Sequence, residues 1–283
     1  MHEITAKQEL APNTWLLRVR APLIARKRQA GQFIIIMVDK RSERLPLTIV
    51  DSDPDEGTIT LVFQAVGNST MRLARMEVGD TVSDIAGPLG KPTHIEKYGL
   101  CIVLGGGYGV APVVPIARAL AEAGNRVVAI NGARTKEAVI LVDELQKFCE
   151  RVEICTDDGT LGHHGMVTAV LQQLLDEYEQ VDFILAIGPA PMMRAVAEMT
   201  RPLGLPTMVS LNPIMVDGTG MCGGCRVEVG GERKFACVDG PEFDGHLVDF
   251  DLLMARQKVY REFESEARAQ YEHACKLELP QSQ

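Results

Sequence analysis

The sequence predicts an α+β chain of several parts: an N-terminal antiparallel β-barrel, a doubly wound parallel α/β unit, and a small C-terminal lobe organised by cysteines. Three observations predict it. Residues 1–97 hold short runs rich in Val, Ile, Thr and Phe, set apart by turn residues such as Asp53-Pro-Asp-Glu-Gly57. From Leu100 onward, short apolar runs alternate with helix-like stretches. Past residue 209, Cys222, Cys225 and Cys237 gather around a glycine-rich loop.

The barrel strands are expected at Thr14–Arg20, Gln32–Val38, Leu47–Val50, Thr58–Val66 and Thr81–Ile85, where β-branched and aromatic residues suit a pleated, half-buried surface. The α/β unit, residues 98–208, should begin with the buried strand Cys101–Leu104 and a helix over Val113–Ala123. Strand Arg126–Ile130, helix Glu137–Cys149, strand Val152–Thr156, helix Met166–Tyr178, strand Phe183–Ile187, helix Met192–Met199 and strand Thr207–Leu211 then follow. Apolar strands without polar alternation fit a parallel sheet covered on both faces. Residues 209–248 form the cysteine lobe. The tail, 249–283, is charged and helix-prone, with Leu252, Leu253, Val259 and Phe263 as a partial apolar face suited to its own protein or to a partner subunit.

The bulk numbers exclude several classes. A chain of 283 residues with 46% hydrophobic and 24% charged residues is that of a globular protein. A formal net charge of −9 argues against nucleic acid or an anionic membrane as partner. No apolar run approaches the roughly 18 residues that span a bilayer, and the N-terminus lacks a signal peptide's apolar stretch. Seven cysteines without export signals imply a reducing compartment, the cytoplasm by default. Cys101, Cys149, Cys155 and Cys275 then read as ordinary thiols.

Asp217, Cys222, Cys225 and Cys237 carry the chemistry. Plant-type [2Fe-2S] clusters use Cys-x4-Cys-x2-Cys and a distant fourth ligand, and this chain has that spacing with aspartate in first place. Gly218, Gly220, Gly223 and Gly224 let the backbone fold round a small inorganic core. A zinc ribbon half-site is the alternative, though only Cys237 and His246 lie near enough to complete it. Single-electron transfer is the function such a cluster serves.

Four further motifs sit at turns. Gly105-Gly-Gly-Tyr-Gly-Val-Ala-Pro112, with Gly105, Gly106, Gly107, Gly109, Val110, Ala111 and Pro112, ends a strand and opens a helix, as a pyrophosphate site requires. Gly188-Pro-Ala-Pro-Met-Met193 lies at another carboxyl end of the sheet, where ligands bind. In the barrel, Arg44-Leu-Pro-Leu-Thr-Ile49 and Phe63-Gln-Ala-Val-Gly-Asn-Ser-Thr70 suit a flavin and its phosphates. Asp157 and Asp158, in a loop after the third sheet strand, are placed to accept hydrogen bonds from a ribose or a nicotinamide amide. His163 and His164 in the same loop read as solvated. After the second sheet strand, Gly132, Ala133 and Arg134, with Lys136, border the nucleotide site; the cations there leave NAD and NADP both open. No Ser–His–Asp or Cys–His nucleophile constellation stands out, which fits chemistry done by cofactors.

Together these motifs resemble the ferredoxin-reductase superfamily, in the branch with a C-terminal [2Fe-2S] lobe that contains the electron-transfer subunit of dihydroorotate dehydrogenase B. Within it the chain looks most like small subunits of the NADH-dependent reduced ferredoxin:NADP+ oxidoreductase type, also described as sulfide dehydrogenase. The resemblance implies FAD on Leu45, Pro46, Leu47 and Thr48, on Val62, Phe63 and Gln64, and on Gly67, Ser69 and Thr70. It implies NAD(H) on Gly105–Pro112 and on Gly188, Pro189 and Met192. Three positions depart from the family pattern: Arg44 stands one residue early for the flavin arginine, Ile187 replaces a cysteine, and Asp217 takes the first cluster-ligand place. The last points toward the ferredoxin:NADP+ type. The implied partner is a larger flavin and iron–sulfur subunit related to the glutamate synthase small subunit, with ferredoxin reached indirectly and electron bifurcation a property of the complex. The dihydroorotate and sulfide dehydrogenase subunits remain the alternatives within the family, and a zinc-stabilised nucleotide sensor the alternative outside it.

Overall fold

The structure, a computed structural model, describes residues 2–40 and 42–278, of which 270–278 by backbone alone. Seven antiparallel strands make the first sheet: β1 (His2–Ala11), β2 (Thr14–Arg20), β3 (Phe33–Met37), β4 (Arg44–Asp53), β5 (Thr58–Gln64), β6 (Thr81–Val82) and β7 (Asp84–Leu89), in the spatial order β6-β1-β2-β5-β4-β3-β7. Only Ser83 separates the two edge strands in sequence. Its N–H donates to both Met37 O (3.1 Å) and Val38 O (3.0 Å), so one bent segment nearly closes the barrel. Alternate residues fill the interior, among them Leu17, Val19, Ile34, Ile36, Ile49, Ile59, Leu61 and Phe63, which removes most of the exposed-edge liability of an open sheet.

Two elements here depart from the sequence reading. β1 is ten residues long, yet His2–Ala11 shows little apolar alternation. It is a strand because it pairs with β2 from Ile4–Val19 to Ala11–Thr14, across a tight turn in which Asn13 adopts φ 59°. Residues Asn68–Arg75 form an amphipathic helix, α2, where the sequence suggested only a turn; its Leu73 is buried in the barrel core. A short helix, α1 (Pro22–Ala25), adds Ile24 and Ala25 to that core.

The second sheet runs β8 (Leu100–Gly106), α3 (Val110–Glu122), β9 (Arg126–Ala133), α4 (Val142–Gln146), β10 (Arg151–Thr156), β11 (His163–His164), α5 (Val167–Glu177), β12 (Phe183–Ile187), α6 (Ala190–Thr200) and β13 (Thr207–Ser210). All of these strands are parallel, ordered β11-β10-β9-β8-β12-β13. The order reverses between β8 and β12, and a crevice at such a reversal is where open α/β sheets take ligands. α3 and Leu145 of α4 pack on one face through Val113, Ile116 and Leu120; α5 and α6 cover the other through Val170, Leu171, Met193 and Val196.

The helix expected over Glu137–Cys149 is broken. A single 3-10 turn covers Lys136–Ala138, and α4 begins only after Leu141, which has φ 58°. The cause is tertiary: buried Asn131 on β9 donates through Nδ2 to Ile140 O at 2.8 Å, holding the chain out of helical register. His163 and His164, expected in a solvated loop, instead extend the sheet edge beside Cys155 and Thr156.

The C-terminal part is a hairpin of β14 (Arg226–Val229) and β15 (Glu232–Phe235), then the short α7 (Ala236–Asp239) and β16 (Glu242–Asp244). β16 pairs antiparallel with β13, so this part lends a strand to the second sheet. α8 (Phe250–Gln257) follows, capped by Asp249, whose side chain accepts from Leu252 N at 2.8 Å. α9 (Arg261–Glu278) ends the described chain. Among the described residues no helix is long and apolar enough to cross a membrane.

Candidate functional site

At the sheet's switch point two glycine motifs interlock. β8 ends at Gly106, a 3-10 turn covers Gly107–Gly109, and α3 starts at Val110. A Cβ on Gly109 would lie 2.6 Å from Ile187 O and 3.0 Å from Gly188 Cα, and one on Gly105 would lie 2.5 Å from Val110 Cα. These glycines are therefore required by backbone packed on backbone. Gly106 and Gly188 both lie under the Met192 thioether, where an added Cβ would come within 2.4 Å and 2.8 Å of its side chain. Gly105–Pro112 and Gly188, Pro189 and Met192, far apart in sequence, thus form one wall. Gly107 has φ 59° and nothing within 4 Å of an added Cβ, so the turn's outer surface is open. Open backbone N–H groups at the start of a helix suit a pyrophosphate.

Beside this wall, Gly132, Ala133 and Arg134 end β9, and Asp157 and Asp158 follow β10. Asp157 N donates to Ala133 O (3.0 Å) and Asp158 N to Arg134 O (3.2 Å), so the structure brings these segments together. Asp158 is engaged locally: its Oδ1 accepts from Thr160 Oγ1 (2.6 Å) and N (3.0 Å), and these bonds hold its carboxyl below the usual range. Asp157 and the exposed Arg134 are the freer of the four candidate side chains at these strand ends.

In the barrel, Leu45, Pro46, Leu47 and Thr48 of β4 pair with Ile36, Ile35, Ile34 and Phe33 of β3. Leu45 and Leu47 pack on the barrel core, while Pro46 is exposed. The Arg44 guanidinium lies 3.8 Å from Asp84, and its side chain is partly exposed. On β5, Phe63 is buried in the barrel core, so it has only backbone to offer a ligand. Val62 faces the other way, into the cluster built around α3, and β5 is a neighbour of the Gly107–Gly109 turn. Gly67 caps α2. The Ser69 hydroxyl accepts from Glu43 N (3.0 Å) and donates to Glu43 Oε2 (3.2 Å); that of Thr70 accepts from Gly67 N (2.9 Å). Both hydroxyls shape the turn, and the first N–H groups of α2 are the donors a phosphate would meet there.

The cysteine loop is organised in pairs. Asp217 Oδ1 accepts from Thr219 N and Oδ2 from Cys222 N, each at 2.9 Å. The Thr219 bond, backed by Cys222 and exceeding a small desolvation effect, holds the carboxyl below its ordinary value. Cys237 N donates to Cys225 Sγ at 3.4 Å, and Gly224 N to Cys222 Sγ at 3.4 Å. Burial, and then the hydrogen bond with Cys225, push the Cys237 thiol up to about 12. Cys222 is exposed, whereas Cys225 and Cys237 are buried. Among the described residues no three such side chains converge on one point as a single metal ion would require. The donor set, one carboxylate and three thiols in two hydrogen-bonded pairs, Asp217 with Cys222 and Cys225 with Cys237, would suit a two-iron cluster, in which each iron takes two protein ligands.

The loop also touches the barrel. Gly218, at φ 76°, leaves no room for a Cβ, which would come within 2.7 Å of Ile35 and of Leu89. Ile35 is the cross-strand partner of Pro46, so one strand separates the loop from β4. By contrast Cys101, Cys149 and Cys155 are buried among apolar side chains, and burial pushes their thiols up to about 12, 12 and 11. Cys275 lies outside the residues whose side chains are described.

Sequence reasoning missed the joints between these parts. Asp51 of β4 binds Arg28 Nη2 (3.0 Å) and Arg118 Nη1 of α3 (2.8 Å), tying barrel to sheet. Thr93 Oγ1 donates to Glu242 Oε1 at 2.7 Å, tying the linker after the barrel to β16. No local pattern marks either, since each partner is ordinary in its own segment.

Comparison with known proteins agrees with this layout. Residues 212–249 match the family described as the iron–sulfur cluster binding domain of dihydroorotate dehydrogenase B, and residues 103–198 the oxidoreductase NAD-binding domain. The chain is 45% identical over 264 residues to a Thermotoga maritima protein named dihydroorotate dehydrogenase B (NAD(+)) electron transfer subunit homolog, covering 93% of each. It is 34% identical to the dihydroorotate dehydrogenase B electron transfer subunit of Bacillus caldolyticus, over 85% of this chain and 94% of that one. A chain in the structure of an NADH-dependent reduced ferredoxin-NADP oxidoreductase, studied for flavin-based electron bifurcation, superposes with a TM-score of 0.91 at 43% identity, covering 96% and 98% of the two chains. Phthalate dioxygenase reductase, at 17% identity over 81% of this chain and 86% of that one, shares the fold with a TM-score of 0.58. This chain belongs to the family of dihydroorotate dehydrogenase B electron-transfer subunits, oxidoreductase subunits with an NAD-binding and an iron–sulfur domain.

Proposed function

We propose that the chain is the NAD(H)-facing electron-transfer subunit of a two-component oxidoreductase, of the NADH-dependent ferredoxin:NADP+ type. The barrel, residues 1–97, is read as the FAD unit, 98–208 as the NAD(H) unit, 209–248 as the [2Fe-2S] lobe and 249–283 as a helical tail. The observation that carries this reading is convergence: the nucleotide wall at Gly107–Gly109 neighbours β5, and the cysteine loop reaches Ile35, one strand from Pro46. When bound, FAD exchanges a hydride with the nicotinamide and releases electrons singly, and a [2Fe-2S] cluster carries them one at a time.

The chain's own residues bind, orient and shield. Gly105–Pro112, with Gly188, Pro189 and Met192, receive the dinucleotide, and Gly132–Arg134 with Asp157 and Asp158 border it. Arg44, partly exposed beside Asp84, is read as a candidate for the flavin phosphates. Leu45–Thr48 and Val62–Gln64 present backbone groups to the flavin, and Gly67, Ser69 and Thr70 set the α2 N-terminus against its phosphates. Asp217, Cys222, Cys225 and Cys237 are the cluster ligands. Exposed Cys222, with Met221 87% exposed beside it, turns that ligand edge outward, toward a larger flavin and iron–sulfur subunit related to the glutamate synthase small subunit. Ferredoxin is then reached through that subunit.

The test is anaerobic purification of the native complex. Flavin bands with a broad iron–sulfur shoulder, at least about two iron and two acid-labile sulfide per copy of this chain, and bleaching by NADH are expected. A colourless, zinc-containing protein would overturn the reading. The names of the relatives favour a second reading, a dihydroorotate dehydrogenase B subunit. Dihydroorotate oxidation by the copurified partner would select it.

A further inference from the structure

We infer that Arg226 and Arg256 set the reduction potential of the cluster through two of the three peptide units that join Cys222 to Cys225, an inference that rests on the cluster reading above. Gly223 and Gly224 fill that gap. Arg226 Nη1 donates to Gly223 O at 3.1 Å, and the N–H of that same peptide unit, carried by Gly224, donates to Cys222 Sγ at 3.4 Å. The unit is gripped by a cation at its carbonyl and by sulfur at its amide. Arg256, reaching from α8, holds the carbonyl of the next unit: its Nη2 donates to Gly224 O at 3.1 Å, and the N–H of that unit belongs to the ligand residue Cys225. A cation on the oxygen draws electron density from the amide and makes its N–H a stronger donor.

The placement is unusual for its surroundings. In a chain of net charge −9, neither guanidinium pairs with a carboxylate among the described residues. Both instead line, with Cys222, Val216 and Tyr260, a cavity of about 460 Å3. Two cations held near each other without counter-ions cost free energy, so an anion between or beside them is the natural complement. The cluster is that anion. Two ferric irons, two sulfides and four anionic ligands are already negative, and the incoming electron adds one more negative charge with no bond made or broken to the protein. Hydrogen bonds to ligand sulfur and nearby positive charge both favour the more negative, reduced state, so the pair raises the potential. Arg226 and Arg256 are thus positioning residues that act through the Gly223 and Gly224 carbonyls.

The experiment is a redox titration of the reconstituted chain, read by the electron paramagnetic resonance signal of the reduced cluster. Arg226→Gln and Arg256→Gln keep an N–H donor and remove the charge. Each is expected to retain wild-type iron and sulfide and to shift the midpoint to more negative potential, with the double variant shifted furthest. Arg226→Lys should stay close to wild type, as should Arg201→Gln, a neutralised arginine outside the lobe. Full cluster occupancy with an unchanged midpoint in both glutamine variants would overturn the inference. So would loss of iron from both while far-ultraviolet circular dichroism stays native, because the arginines would then only hold the loop. Absence of iron from the wild-type chain would instead sink the cluster reading itself, so the two failures are distinguishable.

Discussion

The nucleotide wall and the cysteine loop are both rich in glycine, and they use it mainly for different reasons. At Gly105 and Gly109 an added Cβ would strike backbone at 2.5 Å and 2.6 Å, so glycine is there to let two elements touch. At Gly218, Gly220 and Gly223 the backbone sits at φ 76°, 83° and 68°, so glycine is there to bend a loop, and only Gly218 of the three is also pressed closely on side chains, those of Ile35 and Leu89. The first region is part of the core between β8, α3 and β12. The second is a bracket held by hydrogen bonds to Asp217, Cys222 and Cys225, exposed at Cys222 and buried at Cys225 and Cys237. A glycine motif in the wall therefore stabilises the fold whatever it binds, whereas the exposed part of the cysteine loop, around Met221 and Cys222, is expected to tolerate change.

Gly109→Ala breaks this comparison most directly. With the carbonyl of Ile187 and Cα of Gly188 fixed by the sheet, the methyl forces α3 off β12, at about 1–3 kcal/mol. Chemical denaturation should show that loss together with weakened NADH binding. Gly107→Ala, in open space at φ 59°, should cost only about 1 kcal/mol and leave the wall in place. Equal losses in the two variants would remove the distinction.

The joints between barrel and sheet come next. Burial alone would raise the Asp51 carboxyl, but the Arg118 hydrogen bond and charge, with Ser52 and Arg28, overcome it and hold the group below its ordinary value. Its contribution is present above the unfolded value of about 4 and is lost as pH falls through the lower folded value. Asp51→Asn should cost about 1 kcal/mol near neutral pH, because the side chain is 45% exposed and solvent screens the pair, and should flatten the acid limb of a stability profile. Glu242 has the opposite sign. Burial pushes its carboxyl up to about 7, against the hydrogen bond from Thr93. Its contribution is full below about pH 4 and declines as pH rises toward about 7. Glu242→Gln keeps an acceptor for Thr93 and should abolish that decline, with melting temperatures across pH 4 to 8 as the measurement; an unchanged slope would refute it.

The smallest effect on the fold belongs to the loop. Asp217→Cys should leave the denaturation midpoint near wild type while altering the visible spectrum and potential of the bound cluster. Asp217→Ala should lose iron without loss of secondary structure. Unchanged spectra in Asp217→Cys would strike the carboxylate from the ligand set.

What was legible in the chain alone was whatever is encoded within a few residues. Phe183–Ile187 and Thr14–Arg20 were predicted to the residue, because unbroken apolar or alternating β-branched runs have few other ways to bury their side chains. The cysteine spacing and both glycine motifs were equally local. Tertiary structure decided the rest. β1 is a strand through its pairing with β2, α4 starts late because Asn131 holds Ile140 O, and β16 leaves the lobe to edge the nucleotide sheet. It likewise decided that Arg226 and Arg256, thirty positions apart, grip consecutive carbonyls between two cysteines. Short-range patterns fix which elements form. Which of them meet depends on contacts whose partners lie far away along the chain, and no window of sequence contains both halves of such a contact.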